Sequence, residues 1–267
     1  MHDLYAAVTA ALQQGEPVAM ATIVRVEGSA PRSVGAQMLI CSSGKTLGTI
    51  GGGALEAQIV QDARAALASG SSSLKDYGLL GEEGGALGVC GGQVQVFIHV
   101  LRPPETVLIV GAGHVAQSLA QAVALAGFRA LVVDDRAELL TPERFPTAET
   151  RLVDFSSLRT QVRVGGHTHV VIVTRSHEHD EEVLHQMLGA PVAYLGVIGS
   201  RTKVRRIFHS LRQAGYSTQQ LEQVHAPIGL DIGAETPEEI AISIVAELIL
   251  CRRGGTGRPL RDVALCL

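Results

Sequence analysis

The sequence contains no tryptophan, only five phenylalanines and four tyrosines, and no run approaching the roughly 20 apolar residues that a membrane span needs. A membrane-spanning protein is therefore not expected. Residues 1–12 lack both a basic start and a long apolar stretch, so no secretory signal is expected there either. Positive charge is also scarce: 22 Lys and Arg against 26 Asp and Glu leave a formal net charge of -4, which gives no electrostatic basis for binding nucleic acid. Only four cysteines occur (Cys41, Cys90, Cys251, Cys266), and none forms a CxxC pair. On that spacing neither a disulfide framework nor a structural zinc site is expected, and a cytoplasmic location is the default expectation.

What the chain does have is glycine, 30 residues of it, and two different periodicities. Leu4, Val8, Ala11 and Leu12 share a helical face. From Val18 to Val26 the alternation has period two, and 36–41, 46–50 and 93–101 read the same way. Between them Gly51-Gly52-Gly53 opens a helix carrying Leu55, Ile59, Ala63 and Leu67. The first hundred residues are thus an α+β domain, 1–101, with glycine-rich loops. Arg102-Pro103-Pro104 marks a linker over 102–105.

Beyond it the pattern changes to short apolar runs (106–110, 129–133, 169–173, 192–198) alternating with helices. This predicts a Rossmann-type, doubly wound parallel sheet over 106–267, an α/β architecture. Gly111-Ala112-Gly113-His114-Val115-Ala116 follows the first run and opens a helix, and Asp134 lies 23 residues past Gly111. In such a turn Gly111 permits the sharp reversal, Gly113 lets a phosphate reach the backbone, and small Ala116 lets helix and strand pack. The helix-start N–H groups hold the anion, and Asp134 could accept from a ribose hydroxyl. The same turn can also pack a helix and bind nothing. His114 is either a phosphate contact or an exposed helix-start residue.

Ligands in open α/β sheets bind outside the carboxyl ends of the strands. That rule brings in two further loops, Thr174 to Asp180 and Gly199-Ser200-Arg201-Thr202-Lys203. His177, His179 and Asp180 have a spacing compatible with a metal, yet Asp180 could equally be a helix cap. Thr236-Pro237-Glu238-Glu239 is a capping box, and Glu247 falls on the apolar side of the helix it starts, where a carboxylate is either paired or functional.

Taken together, these segments resemble the xanthine dehydrogenase accessory protein family (XdhC/CoxI). The likeness is carried by Gly28-Ser29-Ala30-Pro31-Arg32, Gly35 to Met38, Gly48 to Glu56 and Cys90-Gly91-Gly92. In the second half it is carried by the 111–116 turn, Thr174 to Asp180, Gly199-Ser200-Arg201 and 227–234 running into Thr236 to Glu239. The resemblance implies a molybdenum cofactor chaperone, without turnover of its own, that assists sulfuration and insertion of the cofactor into a xanthine dehydrogenase-type molybdenum hydroxylase. Its implied partners are the hydroxylase apoenzyme and a cysteine desulfurase as sulfur donor, and a homodimer is the expected assembly. It also implies that the ligand is molybdopterin or its dinucleotide form.

By that likeness Cys90 is the candidate molybdenum contact, with Gly91 and Gly92 beside it, and His177 and Asp180 match a loop that the family keeps, whereas His179 sits at a variable place. Molybdenum is soft enough to take a thiolate, although Cys90 could also be a small buried filler. Ser29 and Arg32 belong to the same candidate site, with Arg32 binding a phosphate or pairing with Glu27. Glu56, at a helix start, either joins the site or only offsets the helix dipole. Cys41 and Cys251 read as packing residues. The alternative function is an NAD(P)-dependent oxidoreductase built on Gly111, Gly113 and Asp134, or a regulatory nucleotide-binding protein. Against the oxidoreductase stands the lack of a YxxxK pair, since Tyr194 falls within a strand.

Overall fold

A computed structural model describes residues 2–78 and 92–263. The chain divides into two compact units, Met1–Pro103 and Pro104–Leu267. The first consists of α1 (His2–Gln13), β1 (Val18–Glu27), β2 (Gln37–Cys41), β3 (Thr46–Gly48), α2 (Gly53–Ser69), β4 (Ser73–Gly78) and β5 (Gln93–Leu101). Its strands form an antiparallel sheet in the order β3-β2-β1-β5-β4. Period-two alternation gives the sheet two apolar faces. Ala19, Ala21, Ile23, Met38 and Ile40 pack on Leu55, Ile59 and Ala63 of α2. Val18, Met20 and Leu39 pack on Leu4 and Val8 of α1. Strand β4 was not expected from the alternation. It is an edge strand of mostly polar residues, with Lys75 bonded to Asp62 of α2 at 2.7 Å.

The second unit runs β6 (Thr106–Val110), α3 (His114–Leu125), β7 (Arg129–Asp134), β8 (Ala148–Leu152), α4 (Leu158–Gln161), β9 (Thr168–Ile172) and α5 (His177–Met187). It continues through β10 (Tyr194–Val197), α6 (Arg201–Gln213), α7 (Thr218–Leu221) and α8 (Pro237–Arg253). All five strands are parallel, in the order β10-β9-β6-β7-β8. The sheet is doubly wound. Val107, Ile109, Val132 and Val171 face α3 and α8, while Leu108, Val110, Val133 and Ile172 face α5 and α6. The topological switch point lies between β6 and β9, since the chain leaves β6 for β7 on one side and later returns to β9 on the other. Among the described residues no helix is long and apolar enough to cross a membrane.

One buried ionisable residue makes this unit acid-sensitive. His169 of β9 is only 3% exposed, set edge-on to Phe128 and beside Tyr194, with Glu105 and Arg252 as its charged neighbours. Burial lowers its pKa, although Glu105 acts in the opposite direction. The unfolded chain therefore takes up a proton near pH 6.5 that the folded chain refuses, and stability falls as pH drops below that value. This contribution is at most about 1.4 kcal/mol per pH unit. His169→Phe is expected to reduce the loss of stability between pH 7 and pH 5, as read from urea midpoints. An unchanged pH dependence would refute the assignment.

Candidate functional site

The phosphate turn is held from three sides. Gly111 sits at φ +115°, and a Cβ there would overlap the carbonyl of Val173, with Val173 C at 2.8 Å and Thr174 Cα at 3.0 Å. Only glycine meets both conditions. Its N–H donates to Val133 O at 2.8 Å, so the turn is pressed against the strands on both sides of β6. Arg144 donates to Ala112 O at 2.9 Å from a segment with no motif to announce it. Ala116 is fully buried between helix and sheet.

The start of α3 differs from its neighbours. Ser176, Ser200 and Thr236 cap α5, α6 and α8 by accepting from a first-turn N–H, but α3 has no side-chain cap. Among the described residues, a Cβ built on Gly113 meets nothing within 4 Å, so the space in front of the uncapped helix start is open at that position. His114 is exposed, lining a groove of about 590 Å³ with Gln117, Ser118, Gln121, Glu238 and Ile242.

Asp134 is placed at the turn, yet its carboxylate is occupied there. It is 1% exposed and accepts from Ala112 N (2.7 Å), Arg136 N (3.0 Å), Arg136 Nε (2.8 Å) and Arg136 Nη2 (3.0 Å), two donors on each oxygen. Asp135 next to it pairs with Arg175, whose hydrogen bond holds the Asp135 carboxyl at about 2. The ends of β7 and β9 are thereby tied together.

His177 and Asp180 lie in the first turn of α5, where a loop was expected, because Ser176 caps the helix ahead of them. His177 is exposed, whereas Asp180 is completely buried and accepts from the Thr174 hydroxyl at 2.5 Å and the Thr174 N–H at 3.2 Å. Asp180 is therefore not the cap, and its second oxygen pairs with Lys203. His179 turns to Glu182 at 3.5 Å and to the Phe155 ring. Among the described residues no group of three or more His, Cys, Asp or Glu could hold a metal. Ser200 caps α6, and Arg201 is exposed at its first position.

In the first unit, three of the glycine segments converge. Pro31 lies against Gly51, since a Cβ on Gly51 would come within 2.7 Å of Pro31 Cγ. Gly92 is packed on the Glu27–Ser29 backbone so closely that a Cβ would reach Glu27 O at 2.6 Å and overlap Ser29 O. Cys90 and Gly91 lie outside the described residues. Ser29 and Arg32 are exposed, and Glu27 pairs with Arg25, not with Arg32. Glu56 accepts from the Thr49 hydroxyl, Ile50 N (3.0 Å) and Gly52 N (2.9 Å), closing the glycine loop on itself. Burial raises the Glu56 pKa, but these bonds outweigh it and leave the carboxyl below its usual range.

Glu247 is paired. It accepts from the Tyr194 hydroxyl, from Gly229 N at 2.7 Å and from His225 Nδ1 at 3.1 Å, and the His225 and Tyr194 rings stack at 4.3 Å. Ser243 adds a bond to Leu230 O, so α8 holds the segment 227–234 at Gly229 and Leu230. Cys41 packs with the α1 cluster, but Cys251 is exposed near the end of α8 and is not a core residue.

Against known families, residues 107–248 match the XdhC Rossmann domain and residues 11–78 match the XdhC and CoxI family. Among individual proteins, the uncharacterized protein YqeB of Escherichia coli is 38% identical over 92% of this chain, which spans only 45% of YqeB. A probable xanthine dehydrogenase subunit of Bacillus subtilis is 24% identical, over 95% of this chain and 98% of that protein. The molybdenum cofactor insertion chaperone PaoD of E. coli is 25% identical, over 91% and 86%. A crystal structure of a xanthine dehydrogenase from Bacillus halodurans shares the fold, with a TM-score of 0.52 and 24% identity over 96% of this chain and 97% of that one. With its second unit matched by the Rossmann domain model and its first by the family model, the chain belongs to the XdhC and CoxI family.

Proposed function

We propose that this protein takes up the molybdenum cofactor as cargo, assists its sulfuration and delivers it to a molybdenum hydroxylase apoenzyme, without turnover of its own. The observation that carries the reading is the uncapped start of α3 beside the open face of Gly113. Unpaired first-turn N–H groups together with the helix dipole suit the terminal phosphate of a pterin cofactor. The likeness to PaoD, a molybdenum cofactor insertion chaperone by name, points the same way. In the first unit Gly92, two positions after Cys90 in the sequence, is wedged against Glu27–Ser29. The Cys90 thiolate is the group we assign to molybdenum. Ser29 and Arg32, both exposed, are the polar groups that join it in the proposed site. A cysteine desulfurase as sulfur donor, a homodimer and a cytoplasmic setting complete the proposal.

In an NAD-dependent oxidoreductase the motif's acceptor for the ribose hydroxyls would be Asp134 at the end of β7, but both of its oxygens are already occupied, and the neighbouring Asp135 is paired with Arg175. The two readings separate in one experiment. The full chain is incubated with cofactor released from a purified molybdoenzyme, then desalted and assayed for bound molybdenum and pterin, and in parallel titrated with NADH and NADPH. Stoichiometric cofactor retention is expected, with Cys90→Ala retaining markedly less molybdenum or supporting less sulfuration. Failure to retain cofactor, or tight NADH binding with turnover, would overturn the proposal.

A further inference from the structure

Of the two fully buried carboxylates at the strand ends, only Asp134 has all its bonds within its own turn and the residue two positions on. Asp180 differs. One of its oxygens holds Thr174, while the other faces the Lys203 ammonium and, among the described residues, has no further partner. A carboxylate so deeply buried is tolerated only when paired, which fixes where the ammonium must sit. The lysine stem follows suit, folding back across Gly199, where a Cβ would come within 2.8 Å of Lys203 Cδ. Lys203 therefore does not extend into solvent as Arg201 does, but lies at the carboxyl end of β9 with a quarter of its side chain exposed.

That position borders the phosphate turn. Thr174, held by Asp180, is the residue whose Cα lies 3.0 Å from a Cβ built on Gly111. Of the other cations at these strand ends, Arg136 is paired with Asp134 and Arg175 with Asp135, Arg144 is directed at the Ala112 carbonyl, and Arg201 is exposed. An ammonium has three donors and Asp180 uses one, leaving two for a ligand. We propose that Lys203, positioned by Asp180, is a binding cation of the switch-point crevice that contacts a phosphate or pyrophosphate of the ligand. This rests on reading the crevice as a phosphate site, and it names the side chain that supplies the charge. Because the ammonium is already ordered, binding it costs little conformational entropy, unlike recruiting the exposed Arg201.

The test must separate binding from folding, because Lys203→Met alone strands the Asp180 charge and destabilises the unit. The double variant Lys203→Met/Asp180→Asn removes both charges. It is expected to recover most of the urea midpoint lost in the single variant, yet to bind inorganic pyrophosphate at least about tenfold more weakly by calorimetry, whereas Lys203→Arg stays within about threefold of the parent. If the double variant does not fold, Lys203→Gln, which can still donate to Asp180, takes its place in the comparison. A folded charge-free variant that binds pyrophosphate like the parent, or a parent that binds none, overturns the proposal. The same proteins loaded with molybdenum cofactor distinguish the two readings. Lys203-dependent pyrophosphate binding without cofactor retention would sink the carrier function and leave the Lys203 assignment standing. Cofactor retained equally by parent and charge-free variant would do the reverse.

Discussion

Gly111→Ala is expected to destabilise the second unit by about 4 kcal/mol, while Gly113→Ala, two residues away, costs no more than about 1 kcal/mol and instead weakens ligand binding. The two glycines look equivalent in the motif, but their surroundings are opposite. At Gly111 a methyl group would require a left-handed backbone at φ +115° and would meet the main chain of Val173 and Thr174, which cannot rotate away as a side chain could. Strain at such a φ costs about 1–3 kcal/mol and overpacking about as much again. At Gly113 φ is -74°, an ordinary value, and the methyl would enter open space in front of α3. The remaining cost there is that alanine is a poorer helix cap than glycine, a fraction of a kcal/mol to about 1. The same methyl stands where a phosphate would approach the first-turn N–H groups, so cofactor affinity is expected to fall at least about tenfold. Urea midpoints and cofactor retention, measured on both variants, check the pair. A Gly111→Ala midpoint equal to the parent's would contradict the packing argument. Unimpaired cofactor retention by Gly113→Ala would move the phosphate elsewhere.

That contrast shows what the sequence could and could not convey. The alternation of Val18 to Val26 and the apolar run at 106–110 are consequences of burial, and they located β1 and β6 without a structure. The strands that were missed, β4 and β8, are the polar outer edges of their sheets. Edge strands carry charges such as Lys75, Glu149 and Arg151 to deter further pairing, and those charges erase the apolar pattern that would reveal them. Within the candidate site, the motif spacing placed Gly111, Asp134, Thr174 and Ser200 at the strand ends. It did not convey that Arg136 occupies Asp134, that Asp180 turns inward, or that Lys203 folds back to meet it. Such facts depend on side-chain direction, which the motif spacing does not encode, whether the partner is two residues away, as Arg136 is, or on another helix, as Lys203 is. Arg144, 32 residues from the carbonyl it binds, had no signal at all.

Glu247→Ala is the second large effect expected, about 3–5 kcal/mol, and it should appear as local release as well as global instability. The carboxylate is largely buried and accepts from Tyr194, His225 and Gly229, so its loss leaves a buried hydroxyl and a backbone N–H without partners. Glu247→Gln, which keeps an acceptor oxygen, should cost distinctly less. Burial pushes the Glu247 carboxyl up, but the bonds from His225, Tyr194 and Gly229 outweigh it and set the pKa below its usual 4.5. A carboxyl depressed on folding stabilises the protein above its unfolded pKa, and that contribution is lost as pH falls below about 4.5 through the lower folded value. The variant should therefore lose part of the acid-induced fall in stability that the parent shows in this window, at a pH lower than the one at which His169 acts. Because Gly229 N–H is one of the three donors, the segment 227–234 is held to α8 through this carboxylate and through Ser243. Limited proteolysis under native conditions should then cut the Glu247→Ala chain within 227–234 faster than the parent, while Ser243→Ala, which removes the hydroxyl bond to Leu230 O but keeps the backbone bond from Leu230 N to Ser243 O, gives a smaller effect. Equal cleavage rates in parent and Glu247→Ala would mean that the segment is held by its own packing, with the carboxylate serving only the Tyr194–His225 stack.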